Sequence, residues 1–394
     1  MFGWEFPPHN SGGLGVACYG LTKALVKKDI EIIFVLPRKL EGVDESFLKI
    51  VDGKIFSETS YLFNSPLYPY ITEKKYYSDF FHNNEFFGNS LIKEVFRYAE
   101  FGEEVAKKEK FDVIHAHDWL SFGAGIRAKM VSGKPLIAHV HATEFDRGGG
   151  EGVNPLVYNL EKEGMEKADK VIAVSNFTKN IIVDKYGIDS EKIEVVYNGI
   201  DFVEEEGLKE NVHKIKKAGK QLVLFVGRLT LQKGPDYFIK IAKNICEVTE
   251  DVYFVISGSG DMQEYLVNEV ARLKISDRVL FSGFLRGEEL HEVYKSADLF
   301  VMPSVSEPFG ITPLEALANG TPVLISNQSG VSELVSHALK ADFWDIDDMV
   351  NKILAALKYE SLIHCLTKYG RREVAGITWS KAAEKCINIY NSLQ

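Results

Sequence analysis

A chain of 394 residues, 45% hydrophobic and 26% charged, carries enough apolar material for two globular domains of ordinary size. Its net charge of −10 and lack of a dense basic run exclude tracking of a nucleic-acid backbone, so an anionic ligand must be met by a few local cations. Four scattered cysteines without paired or metal-type spacing, no bilayer-length apolar run and no expected leader peptide make a reducing cytoplasmic setting the expectation.

Taken from the start, residues 1–8 reach a glycine-rich loop almost at once. By resemblance to nucleotide-binding α/β folds, which usually set a full strand before such a loop, part of a first strand is expected to be missing, through a misplaced start or a trimmed boundary. Ser11-Gly12-Gly13-Leu14-Gly15 then opens a helix over 14–28. Glycines at Gly12 and Gly13 would let the backbone approach a diphosphate, with the helix N-terminus aimed at it; an ordinary glycine turn is the plainer reading.

Strand-like apolar runs follow at 30–36, 111–115, 136–140, 170–175 and 193–197, alternating with helical stretches at 91–108 and 155–167. Residues 41–90, rich in Tyr, Phe and Asn, read as an elaborated insertion. Residues 201–220, charged and poor in large apolar side chains, read as a linker. A second alternating series has strands at 222–226, 252–257, 279–282, 299–302 and 322–325, and a helical pattern closes the chain at 379–393. The expected architecture is α/β: two Rossmann-like domains (1–205 and 206–376) with an interdomain cleft, and a C-terminal crossover helix (377–394). Such a fold alone assigns no activity.

Candidate chemistry gathers at the carboxyl ends of these strands, where open α/β sheets bind ligands. His115-Ala-His117-Asp118-Trp119 passes from strand to helix, and Asp118 could simply cap that helix. His139-Val-His141 ends the next strand, and alternation sends both imidazoles to one face. Four histidines near two strand ends also admit a metal site. Gly227-Arg228-Leu229-Thr230-Leu231-Gln232-Lys233-Gly234 sets two cations around one turn, able to converge on a diphosphate. Ser306-Glu307-Pro308-Phe309-Gly310-Ile311-Thr312-Pro313-Leu314-Glu315 places two carboxylates eight positions apart across a strand-to-helix turn. Thr312-x-x-Glu315 also fits a capping box with Pro at the first helical position, whereas Glu307 closes no obvious turn.

These segments together, from Phe2 to about Gly330, resemble the Glu-x7-Glu retaining glycosyltransferases of the GT-B fold. Within that group the chain is most similar to glycogen and starch synthases and their neighbours in glycosyltransferase family four. The resemblance implies a hexosyltransferase using a nucleotide-sugar donor, ADP-glucose or UDP-glucose, and a glycan acceptor, with no metal. It implies Glu307, His141 and Asp118 as catalytic residues. Gly12, Gly13, Arg228, Lys233, Phe309, Gly310, Ile311 and Glu315 would then hold the donor. Where glycogen synthases of bacteria carry a lysine ahead of the glycine pair, this chain has Asn10. That departure favours a second possibility, a family-four enzyme passing mannose or glucose to a lipid or small molecule. An epimerase acting on the nucleotide sugar, a non-catalytic glucan- or nucleotide-binding subunit and a histidine-based metallohydrolase are further alternatives. Donor base, acceptor length and oligomeric state are left open.

Overall fold

The computed structural model describes residues 1–8, 12–37, 42, 46–52, 91–149, 152–200 and 219–393. Asn10, Ser11, most of the expected insertion and most of the expected linker lie outside these residues. The chain divides into two compact units. One comprises Met1–Glu144, Val153–Gly199 and Trp379–Gln394; the other comprises Phe145–Gly152 and Ile200–Thr378.

In the first unit, β1 (Ile33–Leu36) pairs in parallel with β2 (Lys49–Asp52). A four-stranded parallel sheet runs β3 (Ile114–His117), β4 (Leu136–Val140), β5 (Lys170–Ala173), β6 (Ile193–Val195). Phe2 links the two sheets through isolated bridges to Val35 and Ala116. Its amide donates to His115 O at 2.8 Å, and its carbonyl accepts from His117 N at 2.9 Å. Met1–Gly3 thus takes the slot between β1 and β3 without forming a strand of its own. All five residues of β4 are buried, as expected of a parallel strand covered on both faces. β3 begins three residues later than the apolar run at 111–115 suggests, and it contains both of its histidines.

The last helix, Trp379–Asn391, belongs to this first unit and packs on helix Gly13–Val26. The contact depends on Gly20, where an added Cβ would lie 2.2 Å from Cε2 of Trp379. Nearby, Lys28 and Glu384 pair at 2.8 Å on the surface.

The second unit is one six-stranded parallel sheet in the order β12-β11-β10-β7-β8-β9. Its strands are β7 (Gln221–Val226), β8 (Val252–Ser257), β9 (Val279–Gly283), β10 (Leu299–Met302), β11 (Val323–Ser326) and β12 (Leu339–Ala341). Read along the chain, the sheet grows outward from β7 to one edge, returns to β10, and grows to the other edge. This is the doubly wound Rossmann order, and its switch point lies between β7 and β10. Helices Pro235–Val248, Gln263–Arg272 and Ile346–Lys358 bury Phe238, Ile241, Leu266, Met349 and Ile353 against Val223, Phe225, Phe254 and Ile256. Helix Ile311–Ala318 packs instead with helices Gly287–Ser296 and Glu360–Val374. Among the described residues, no helix is long and apolar enough to cross a membrane.

Gly20→Ala should lower the stability of the first unit by about 1–3 kcal/mol, the usual cost of overpacking a tight contact. Thermal unfolding followed by Trp fluorescence checks this, and Trp379→Leu in the same chain should recover part of the loss.

Candidate functional site

The second unit brings its candidates together at the switch point. The turn after β7 and the turn after β10 press on each other. Gly234, at φ +65°, makes this possible, because a Cβ there would lie 2.2 Å from Pro303 O. Val305 N donates to Gln232 O at 2.9 Å, and the buried Gln232 side chain accepts from Arg228 Nη2 at 3.3 Å. Lys233, one residue before the glycine, reaches across to Glu307, with Nζ 2.5 Å from Oε2. Ser304 Oγ donates to the same oxygen at 3.3 Å. Glu307 is 5% exposed, and its backbone is clamped to the turn after β11 by Glu307 N to Gln328 O and Gly330 N to Glu307 O, both 2.9 Å. Ser306 is fixed from its other side by donating to the buried carboxylate of Asp146 at 2.5 Å.

Phe309 is buried, and its carbonyl accepts from Val331 N. Gly310 is the cap of helix Ile311–Ala318, without a side-chain capping bond. The helix therefore starts at Ile311, one residue before Thr312, and with Gly310 as its cap the Thr312-x-x-Glu315 capping box is not formed. Glu315 sits one turn inside and accepts a hydrogen bond from the buried Tyr294 hydroxyl at 2.9 Å. Desolvation raises the Glu315 pKa, and the Tyr294 hydrogen bond opposes the rise.

In the first unit the four histidines form one cluster across β3 and β4, which pair with His117 opposite His139. His115 and His117 stack at 4.5 Å, and His139 and His141 stack at 4.1 Å. Burial, reinforced by neighbouring imidazoles, holds His115, His117 and His139 well below the usual histidine range, and burial brings His141 down to about 3. All four are neutral near pH 7. His115, His117 and His139 could each offer a nitrogen within 4.8 Å of the others to a metal. Both nitrogens of His115 are already hydrogen-bonded, to Tyr390 at 2.8 Å and His139 at 3.0 Å, so a metal would have to displace existing bonds.

Asp118 adopts φ 60°, ψ 170° and makes no capping bond to helix Trp119–Ser132. Its Oδ1 instead accepts from His141 N at 2.6 Å and Ala142 N at 3.3 Å, fixing the turn that carries His141. A non-glycine residue held at that conformation is a local strain that its surroundings must compensate. Gly12 caps helix Gly13–Val26 in an extended conformation. The buried Glu5 carboxylate already accepts from Gly15 N at 3.2 Å, so an anion at this helix start would meet a resident negative charge.

Sequence patterns did not single out Gln232, Ser304, Tyr294, Tyr390 or Glu5. Each is a lone polar residue whose partner is supplied by the fold, and only their burial identifies them.

Two family models divide the chain between them: "Glycosyltransferase Family 4" over residues 11–204 and "Glycosyl transferases group 1" over residues 208–373. An uncharacterised glycosyltransferase of Methanocaldococcus jannaschii is 30% identical, over 99% of this chain and 97% of its own. The chain belongs to glycosyltransferase family 4. Glycogen synthase of Mycobacterium tuberculosis is 28% identical over 85% of this chain and 79% of its own length. Among solved structures, sucrose-phosphate synthase from Thermosynechococcus elongatus superposes with a TM-score of 0.80 at 19% identity, covering 100% of this chain and 98% of its own. The fold is GT-B, with two Rossmann-like domains.

Glu315 gives a pH-dependent test. Its folded pKa is raised above the unfolded value, so the charged carboxyl costs stability at neutral pH, and the cost disappears as pH falls below the unfolded value near 4. Glu315→Gln should therefore raise the melting temperature at pH 7 and lose that advantage towards pH 4, as measured by calorimetry across this range.

Proposed function

We propose that this glycosyltransferase moves a hexosyl unit, glucosyl in the first instance, from a nucleoside diphosphate sugar to an acceptor glycan with retention of configuration, as a glycogen or starch synthase does. The observation that carries this reading is the Lys233–Glu307 pair at the β7/β10 switch point, with Arg228 on the same turn. Lys233 has three N–H donors and spends one on Glu307, so it can orient that carboxylate and still face a phosphate. The similarity to glycogen synthase supports the choice of donor sugar and acceptor.

In this reaction Arg228 and Lys233, helped by amides at the start of helix Ile311–Ala318, stabilise the charge that grows on the diphosphate as its bond to C1 breaks. Phe309, Gly310 and Ile311 shape the donor pocket around that helix start, and Glu315 holds the ribose hydroxyls. Glu307 holds the donor sugar and His141 lies near its anomeric carbon. Asp118 faces the acceptor while its Oδ1 anchors the 141–142 turn. Gly12 and Gly13 allow close backbone approach to the uncharged part of the donor, because the Glu5 carboxylate at that helix start disfavours its diphosphate. The acceptor hydroxyl adds to C1 on the face the diphosphate leaves, and its proton passes to the departing phosphate oxygen. The cations replace a divalent metal, so chelation should leave turnover unchanged.

The second reading, transfer of mannose or glucose to a lipid or small molecule, is favoured by Asn10, which stands where a phosphate-facing lysine would serve a bacterial glycogen synthase.

The test is nucleoside diphosphate release from ADP-glucose, UDP-glucose and GDP-mannose, each with and without glycogen. Glycogen-dependent release with a glucosyl donor is expected. Release indifferent to glycogen would overturn the glucan reading in favour of another acceptor. Glu307→Gln and Lys233→Ala should each lower kcat by about 10²–10³, with near-normal donor binding by calorimetry in Glu307→Gln only. A chain that binds donor but never turns over would be a binding subunit instead.

A further inference from the structure

The histidine cluster holds two nitrogens with no hydrogen-bond partner, Nε2 of His117 and Nε2 of His139, both fully buried. Each of these rings uses its other nitrogen. His117 Nδ1 lies 3.0 Å from His141 Nε2, and His139 Nδ1 lies 3.0 Å from His115 Nε2. A neutral imidazole has one N–H and one lone pair, and the hydrogen bond at one nitrogen decides where the proton sits. Burying an unpaired N–H is costlier and rarer than burying an unpaired lone pair.

We infer that His117 is a positioning residue that locks His141 in the tautomer protonated at Nδ1, so that His141 offers an N–H donor and not a lone pair to its ligand. The proton of His117 belongs on Nδ1, because the alternative leaves an N–H stranded at the buried Nε2. His117 Nδ1–H then donates to Nε2 of His141, which must be bare, and the His141 proton resides on Nδ1, the remaining ring nitrogen. The neighbouring pair obeys the same logic. His139 Nδ1–H donates to His115 Nε2, and His115 Nδ1–H donates to the Tyr390 hydroxyl 2.8 Å away. Both chains run in one direction without a conflict of donors.

Burial holds all four rings below the usual histidine range, so each is a neutral imidazole with one N–H and one lone pair to place. Asp118 fixes the backbone of His141 and His117 fixes its proton, so adjacent residues set the place and the polarity of one side chain. Rotating the His141 proton to Nε2 would turn the group from donor to acceptor. A sugar hydroxyl tolerates either partner, whereas an oxygen gaining negative charge tolerates only the donor. The functional consequence rests on the proposed contact between His141 and the donor sugar; the tautomer itself does not.

Long-range proton–nitrogen NMR of the full chain labelled with 15N-histidine tests it, with the His141 signals assigned by their loss in His141→Gln. The expected spectrum has a protonated Nδ1 and a bare Nε2 on His141. A protonated Nε2 there overturns the inference. His117→Phe fills the space without a donor and should give mixed tautomers at His141, with kcat/KM for the donor down roughly tenfold. His117→Asn, whose amide N–H replaces Nδ1–H, should restore both to within about twofold of the parent. Equal losses in the two variants would reduce His117 to packing. If neither variant folds, the spectrum of the unaltered chain still decides. A Nδ1-protonated His141 whose replacement leaves transfer unchanged would uphold the tautomer and refute the assigned sugar contact.

Discussion

The geometry of the second unit's candidate site depends on one ion pair. Lys233 and Glu307 are 74 positions apart, and only the reversal of strand order between β7 and β10 brings their turns together. The same reversal leaves a crevice at the strand ends, because the two crossovers depart to opposite faces of the sheet. Gly234 then sets how closely the turns approach. Once they touch, Gln232 can bridge them, accepting from Arg228 by its side chain and from Val305 by its carbonyl. A carboxylate that is 5% exposed cannot stand alone in such a place; the ammonium makes its burial tolerable, and Ser304 adds a further donor. Stability and site geometry are here the same contact.

The first unit solves a different problem with the same layout. Its polar cluster at the ends of β3 and β4 holds no cation. Four imidazoles join in two hydrogen-bonded pairs, and stacking at 4.1 and 4.5 Å excludes water from between them. Neutrality follows from that packing, since any added proton would be both desolvated and repelled. The histidine cluster is thus polar but uncharged, with the Asp118 carboxylate anchoring its 141–142 turn, while the second unit's switch point carries Arg228 and Lys233.

What the sequence revealed, and what it concealed, follows from how far each signal reaches along the chain. β4, β8 and β10 coincide with the apolar runs at 136–140, 252–257 and 299–302, because strands buried on both faces need only local apolarity. β12 is a three-residue edge strand, and β2 is Lys-Ile-Val-Asp within a region of no clear period; neither has enough length to stand out. Met1–Gly3 completes the sheet with single bridges, which no pattern could announce. In the site, Arg228, Lys233, Glu307 and Glu315 were visible because turn residues frame them. Tyr390 and His115 are 275 positions apart, and Tyr294 and Glu315 lie on different helices, so those pairings are properties of the folded chain alone.

The two carboxylates of the Glu-x7-Glu segment show why spacing by itself is an incomplete description. Eight positions separate them, yet one meets an ammonium and the other a phenol. Glu307 sits at a strand end, in a turn clamped on both sides by the β11 turn, so its direction is set by the sheet. Glu315 sits in a helix and is destabilised as an anion by its surroundings, a cost that the apo chain bears without return. Under the proposed function, ribose hydroxyls would repay that cost by donating to the carboxylate beside the Tyr294 hydroxyl. A group kept under-solvated until its ligand arrives binds hydroxyls more strongly than one already served by water. The pair is therefore divided by environment into a carboxylate fixed against an ammonium and one left under-solvated beside a phenol, and the turn that joins them ties both to the start of one helix.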